Sequence, residues 1–440
     1  MYLALIGYIL IAFLMFFLIK GKAAPISLFI FLSVIAGFVA GYSPTLMNEY
    51  IIKGVMQTAP NAVLFTFSII FFSIMTEAGV FQPLVNWLTK IAGNNVVAIV
   101  TVTGIIALVA HIDGSSVPSV LITIGAMLPV YQKMKIRPVV LLCLLACGMG
   151  VTNITPWAGP LARVAAVSGL DVNALYHQLI PVQIIGLVCV LVLGVVLGFQ
   201  EKKRIANNLP IPENLEEPSK NVADSAHSTI ESGRLKFSIN VLLVIGVTLL
   251  LLVTHLQAYV IFMCAFAAAM LLNYPSLKGQ EAVMKKYAYG AYMISGTVMA
   301  AGVFVGILSG GGDKSILTQM ADIVLAIMPN YLGPHLHIIM GIVGGLVGFV
   351  IGPDAFFYGI YPLVAKVGTH FGVSWQEMGL TMVVGKNIAM MISPVFATTY
   401  LALGLTGVEL RDHIRYSFVP VSVVSLIMVF SLVLTGTVPL

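Results

Sequence analysis

Five ionisable side chains lie inside otherwise apolar runs of this chain: Glu77, Asp113, Arg163, Asp354 and Lys386. A charge at the centre of a bilayer costs at least ~2.5 kcal/mol on insertion scales, so such a residue reads first as functional. The plainer alternative is that some of them pair and only hold helices together. Asp113 stands in HIDGSSVPS, where Gly114 frees the backbone and Ser115, Ser116 and Ser119 offer hydroxyls. The N–H groups of a helix start there would attract an anion, whereas carbonyls and Asp113 would attract a cation or a proton. His111 beside it is a titratable group or simply a hydrogen-bonded one.

Arg163 ends the segment NITPWAGPLAR. Pro156 and Pro160 lack amide donors, so a helix here should unwind and present Asn153 and Thr155. The planar fork of Arg163 matches a carboxylate bidentately; its structural alternative is an ion pair with Asp113. The segment GKNIAMMISPVFATTY repeats the plan, with Lys386 and Asn387 before a break at Ser393-Pro394 and Thr398, Thr399 and Tyr400 after it. Thr398 and Thr399 also fit a second role, bonding the preceding turn. Asp354 and Tyr358, in IGPDAFFYG, complete the opposite side, and Glu77 in MTEAGVFQP reads as a capping or interfacial group.

Elements that could hold such residues must be buried in lipid. The 440 residues are 59% hydrophobic and 9% charged, against about 25% charged in a soluble domain. Residues 2–19 have no basic flank before them and end in Lys20 and Lys22, which reads as a retained span rather than a signal peptide. Cys143, Cys147, Cys189 and Cys264 lie in apolar runs and read as packing residues, with no metal site among them. The formal charge of +5 is spread over span ends, which is not a nucleic-acid signal.

Ten spans are expected, at about 2–19, 24–42, 60–78, 137–170 and 176–199, then 237–254, 257–273, 288–309, 373–404 and 413–437. The stretches 95–132 and 334–370 are broken by polar, Gly and Pro residues into arms near or below a full crossing, and read as re-entrant hairpins. Of the 22 Lys and Arg residues, Arg163 and Lys386 are deep; this folding places seventeen others inside and only Lys53, Lys314 and Lys366 outside. Five spans per half is an odd number, so the second half must enter from the opposite face. Thr155-Pro156 and Ser393-Pro394 are 238 positions apart, as are Gly169 and Gly407, and Asp171 and Glu409. The expected fold is all-α and polytopic: an inverted repeat over 1–199, a cytoplasmic linker over 200–236, and a second repeat over 237–440. Inverted repeats with discontinuous helices are the signature of secondary transporters.

No HExxH or GxSxG motif is present and no GxxxxGK[ST] loop, which argues against an intramembrane enzyme and against an ATP-driven pump. Two broken-helix sites suit occlusion better than a continuous channel. The stretches IMTEAGVFQPLV, LVAHIDGSSVPSVLITIGAMLPVY, GVTNITPWAGPLARVAAVSGLD, IGPDAFFYGIYPLVAKVG and SPVFATTYLALGLTGVELRDH resemble the citrate–divalent metal:proton symporters of the ion transporter superfamily. That resemblance implies uptake of a di- or tricarboxylate, often as a metal chelate, driven by protons. It further implies a scaffold, a mobile transport subdomain, and usually a homodimer.

Two positions depart from the family's pattern. Ser115 stands where a second hairpin Asp is expected, and Lys386 where Gln is. One carboxylate is lost and one ammonium gained, which disfavours a divalent cation needing several oxygen ligands. The expected function is therefore secondary active transport of a small organic anion, possible without metal, in a bacterial cytoplasmic membrane by elevator-type alternating access. The coupling ion is H+, with Na+ or a substrate-chelated divalent cation as alternatives. No cofactor is expected. A cation/proton antiporter using Asp113 and Asp354 is the rival reading.

Overall fold

The computed structural model describes residues 2–20, 23–207, 233–254, 256–394 and 396–440, apart from the side chains of Ile19 and Leu252. Among them are eighteen α-helices and no strand. The first nine are α1 (Tyr2–Lys20), α2 (Pro25–Val39), α3 (Pro44–Glu77), α4 (Gln82–Ala92), α5 (Val96–Ala110), α6 (Ser116–Lys133), α7 (Pro138–Thr152), α8 (Gly159–Ser168) and α9 (Val172–Ala206). The second nine are α10 (Arg234–Val253), α11 (Ala258–Asn273), α12 (Leu277–Ser309), α13 (Ile316–Ile327), α14 (Leu336–Val350), α15 (Tyr361–His370), α16 (Trp375–Asn387), α17 (Ala397–Thr406) and α18 (Leu410–Leu434). Six segments are long and apolar enough to cross a membrane unaided: α3, α9, α10, α12, α18 and Gly333–Val350, which contains α14.

The order of elements in the first nine helices recurs in the second. Two apolar helices precede a helix of 34 or 33 residues (α3, α12), a short helix (α4, α13), a hairpin, two half-helices and a long last helix. Gly169 and Gly407, equivalent by spacing, cap α8 and α17 in the left-handed conformation, with φ of 73° and 69°. Asp171 then caps α9 by accepting from the Ala174 amide at 2.9 Å, and Glu409 holds the N-cap position of α18. Helix starts follow local chemistry elsewhere too. Ser43 caps α3 ahead of Pro44, and Ser374 and Glu377 form a capping box on α16.

Three expectations about extent need correcting. The third span starts at Pro44, not 60, and its counterpart at Leu277, not 288. Polar residues such as Gln57 lower the local hydropathy of α3, but Gly54 packs this part of the helix tightly on α12. A Cβ on Gly302 would stand 2.7 Å from the Gly54 carbonyl oxygen and 2.9 Å from Val55 Cα. Small residues are what allow such backbone approach between helices in lipid. The helices α4 and α13, at 82–92 and 316–327, were not expected at all. Of the linker, 200–206 and 234–236 are helical; 208–232, with Lys220, lie outside the described residues, as does Lys22.

Two packing groups result. In one, α3 crosses α12 with α2 and α11 alongside, and α13 joins α1 and α12. In the other, α5 packs on α7 and α9, and α14 packs in the same way on α16 and α18. The groups meet along narrower seams, where α8 touches α3 and α12, and α13 touches α15.

Glu201, inside the stretch expected to be linker, is fully buried. It accepts from Arg137 Nε at 2.7 Å and Arg204 Nε at 2.9 Å, and Arg137 also lies over the Tyr416 ring. Arg204 further bonds the Lys135 carbonyl. The cluster ties the α6–α7 corner to the ends of α9 and α18. Truncation would strand two cations around an empty hole, so Glu201→Ala should destabilise by about 3 kcal/mol. The midpoint of thermal denaturation in detergent checks this.

Candidate functional site

The first break exists because Pro156 cannot continue the ladder of α7, and Pro160 fits the first turn of α8. In the second, α16 ends at Asn387, a 3-10 turn covers Met390–Ile392, and Pro394 precedes α17. The two hairpins differ. The first turns through His111–Ser115, with Gly114 at φ 71° and Asp113 Oδ1 accepting from the Ser115 amide at 2.8 Å. The second turns through 351–354 into a π-helical segment, Ala355–Ile360, a geometry that recurs at functional sites.

These four irregular elements are linked to one another. Trp157 of the first break donates from Nε1 to the Ile112 carbonyl of the first hairpin at 2.6 Å. Asn153 donates to Asn387 Oδ1 at 2.7 Å, and Asn387 donates onward to the Gly150 carbonyl at 3.0 Å, so the two breaks are joined side by side. Ser393 donates to the Phe349 carbonyl at the end of α14 at 2.7 Å. Arg163 reaches the second hairpin, with Nε and Nη2 each 2.8 Å from Asp354 Oδ1. Each half-helix after a break packs on the other half's hairpin: α8 on the π-helical segment, α17 on α6.

Arg163 therefore has an ion-pair partner, but it is Asp354 rather than Asp113. Among the described residues no carboxylate lies within 4.0 Å of Lys386 Nζ. Lys386 is buried, with its ammonium 5.9 Å from the Phe356 ring centre in the same π-helical segment. The hydroxyls of Thr155 and Tyr358 are buried without a hydrogen-bond partner. Ser115 and Ser116 are half-buried, and Thr398 is buried. Thr399 donates to the Met391 carbonyl at 3.1 Å, across the break rather than to its own preceding turn. His111 is fully buried and shares a 2.8 Å hydrogen bond with Ser119. Glu77 lies apart, bound by the Tyr274 hydroxyl at 2.5 Å and by Lys286.

Aromatic contacts that the sequence reading did not single out seat this cluster on the first packing group. Trp157 lies 5.6 Å from Phe72 on α3 and 5.5 Å from Phe262 on α11. Tyr358 lies 5.2 Å from Phe29 on α2, which in turn meets Phe304 on α12 at 5.6 Å. Phe72 and Phe304, like Phe29 and Phe262, hold matching places in the two sets of nine helices. A buried lysine, a mostly buried arginine paired with a carboxylate, and a set of amides and hydroxyls are groups whose chemistry suits the oxygens of an anion.

Over residues 2–385 the chain matches the CitMHS family, described as citrate transporter. It is 30% identical over 415 residues to the citrate transporter of Bacillus subtilis strain 168, with 94% of each chain covered. It is also 30% identical over 417 residues to that organism's Mg(2+)/citrate complex secondary transporter, again with 94% of each covered. Among solved structures it resembles the Alcanivorax borkumensis YdaH transporter in fold, at a TM-score of 0.59, 13% identity, and 88% of this chain and 86% of that one covered.

Proposed function

The chain belongs to the CitMHS citrate transporter family, and on that premise we propose that it carries a citrate-like di- or tricarboxylate without a metal, in symport with protons or another cation. As a member of a transporter family it is a multi-pass membrane transporter and not an enzyme. The metal-free reading is carried by one observation. Lys386 is buried and Arg163 mostly so at the meeting point of the two halves, and the carboxylate beside them is already taken by Arg163. Asp113 and Asp354 each have one oxygen already engaged, and among the described residues no cluster of three or more His, Cys, Asp or Glu side chains stands ready for a divalent ion's shell of several oxygens. The basic side chains of Arg163 and Lys386 beside Asp354 also favour an anion over the bare cation of a cation/proton antiporter.

The proposed motion is an elevator. Helices α5–α9 and α14–α18 would carry the site across a scaffold of α1–α3 and α10–α12, sliding on the aromatic seats of Trp157 and Tyr358, with α4 and α13 between the two. The two groups pack more within themselves than on one another, which supports a rigid-body displacement. We further propose two halves of opposed orientation, a homodimer formed through the scaffold, and a bacterial cytoplasmic membrane as the location.

Proteoliposome uptake of labelled citrate, with and without magnesium or calcium, tests the substrate. Uptake is expected with both cations chelated; an absolute divalent requirement overturns the metal-free reading. Lys386→Gln removes a buried charge facing the anion and should weaken apparent affinity by roughly tenfold, or about 1.4 kcal/mol. Unchanged affinity would leave Lys386 a structural charge.

A further inference from the structure

We infer that Asp354 is the site of the coupling proton: ionised, it occupies Arg163 in the substrate's place, and the anion gains Arg163 only as Asp354 becomes a carboxylic acid. This rests on the anion reading above and adds the residue through which transport and protonation are joined.

The geometry sets up the competition. Arg163 turns both Nε and Nη2 to a single oxygen of Asp354, so its fork is engaged by an internal carboxylate where an external one is to bind. The pair joins α8 of the first half to the hairpin of the second, and its side chains keep 12% and 22% of their surface exposed, so the pair is reachable. Asp354 directly precedes the π-helical segment, at the irregular turn of the second hairpin. The hydroxyls of Thr155 and Tyr358, buried and unpartnered, remain as donors once the anion arrives.

Charge then dictates the proton. Ionised Asp354 cancels the charge of Arg163, and with Asp354 neutral that charge is left for the anion. An anion that displaced an ionised Asp354 would leave two carboxylates competing for the same cations at depth, which is costly. The displaced carboxylate instead takes a proton from the solution on the loading side, forming one O–H bond. After the anion leaves on the other side, that bond breaks and Asp354 returns to Arg163.

The groups facing Asp354 leave it as the natural acceptor. Arg163 comes from α8 and Lys386 from α16, both cationic, and Tyr358 lies on its own segment. Helix α1, packed against that segment, has no charged residue before Lys20, and its Tyr8 hydroxyl is spent on the Met320 carbonyl at 2.8 Å. Tyr361, which opens α15, donates to the Trp375 carbonyl at 2.8 Å.

Calorimetry of citrate binding to the intact purified protein, at pH 7.5 to 9 in buffers of different ionisation enthalpy, counts protons without any substitution. About one proton taken up per citrate bound is expected, with affinity weakening toward about tenfold per pH unit. Asp354→Asn should bind citrate at least tenfold more tightly at pH 8, with no proton uptake and a flat pH profile. In proteoliposomes this variant should exchange citrate for citrate yet fail to accumulate it under a pH gradient. Wild-type binding without proton uptake, or Asp354→Asn accumulating citrate under a pH gradient, overturns the inference while the anion reading stands. Failure of the wild type to bind or carry citrate or other di- and tricarboxylates overturns that reading, and this inference with it.

Discussion

Arg163→Gln is expected to lower citrate uptake by at least about a hundredfold, the largest functional loss from any single side chain in the cluster. Two charge-assisted bonds from a planar fork are lost, each worth about 1.5–3 kcal/mol. Glutamine is shorter and offers only a neutral amide in their place. Lysine keeps the charge but not the fork, so Arg163→Lys should recover part of the affinity and not all of it. The ion pair complicates the reading, because Arg163→Gln also strands Asp354. The double variant Arg163→Gln/Asp354→Asn separates the two effects: its thermal stability should return toward wild type while its uptake stays lost. Uptake by Arg163→Gln within threefold of wild type would make the pair a structural tie between the halves and nothing more.

What the sequence made legible is local. Pro156, Pro160 and Pro394 announce helix breaks because a missing amide acts within four residues. Gly169 and Gly407 announce caps because only glycine enters the left-handed region freely. Both hairpins were readable from polar residues interrupting apolar arms near or below a full crossing, although Gly333–Val350 is long and apolar enough to cross. Partnership between distant elements was not readable. The 238-residue offset says which positions are equivalent in the two halves, but Arg163 and Asp354 are not equivalents. They meet because α8 packs on the opposite hairpin, a tertiary fact with no periodic trace. The same holds for Asn153 and Asn387, which touch although they stand 234 positions apart and so are not equivalents by that offset. Glu201 was missed because it opens the run EKKR, where charge density resembles a solvated linker and conceals one carboxylate folded back onto Arg137. Helix α3 was cut short because a hydropathy average penalises Gln57, although that side chain is spent on the Ala166 and Val167 carbonyls that end α8.

Gly385→Val is expected to abolish recovery of folded protein, by the same kind of cross-element contact. An added Cβ would overlap the Gly341 carbonyl oxygen and stand 2.6 Å from its carbonyl carbon and 2.9 Å from its Cα. Those atoms are backbone of α14 and cannot turn away as a side chain would, so α14 must lift off α16. Lifting it breaks more than one contact. The Ser393 hydroxyl bonds the Phe349 carbonyl of α14 at 2.7 Å, and the Lys386 stem fills the space in front of Gly348. Overpacking a tight seam costs about 1–3 kcal/mol per added group, and a Cβ against rigid backbone stands at the top of that range. Gly385→Ala should therefore be less stable by about 3 kcal/mol or more, and valine's two further methyls exceed what remains. Monodispersity on size exclusion and the thermal midpoint in detergent measure both. Gly125→Ala, where an added Cβ meets nothing within 4 Å, serves as the control and should leave stability unchanged or slightly raised. Because Gly385 immediately precedes Lys386, folded Gly385→Ala protein should also bind citrate more weakly. The seam that closes the hairpin on α16 thus also sets how far the ammonium stands from Arg163 and Asp354.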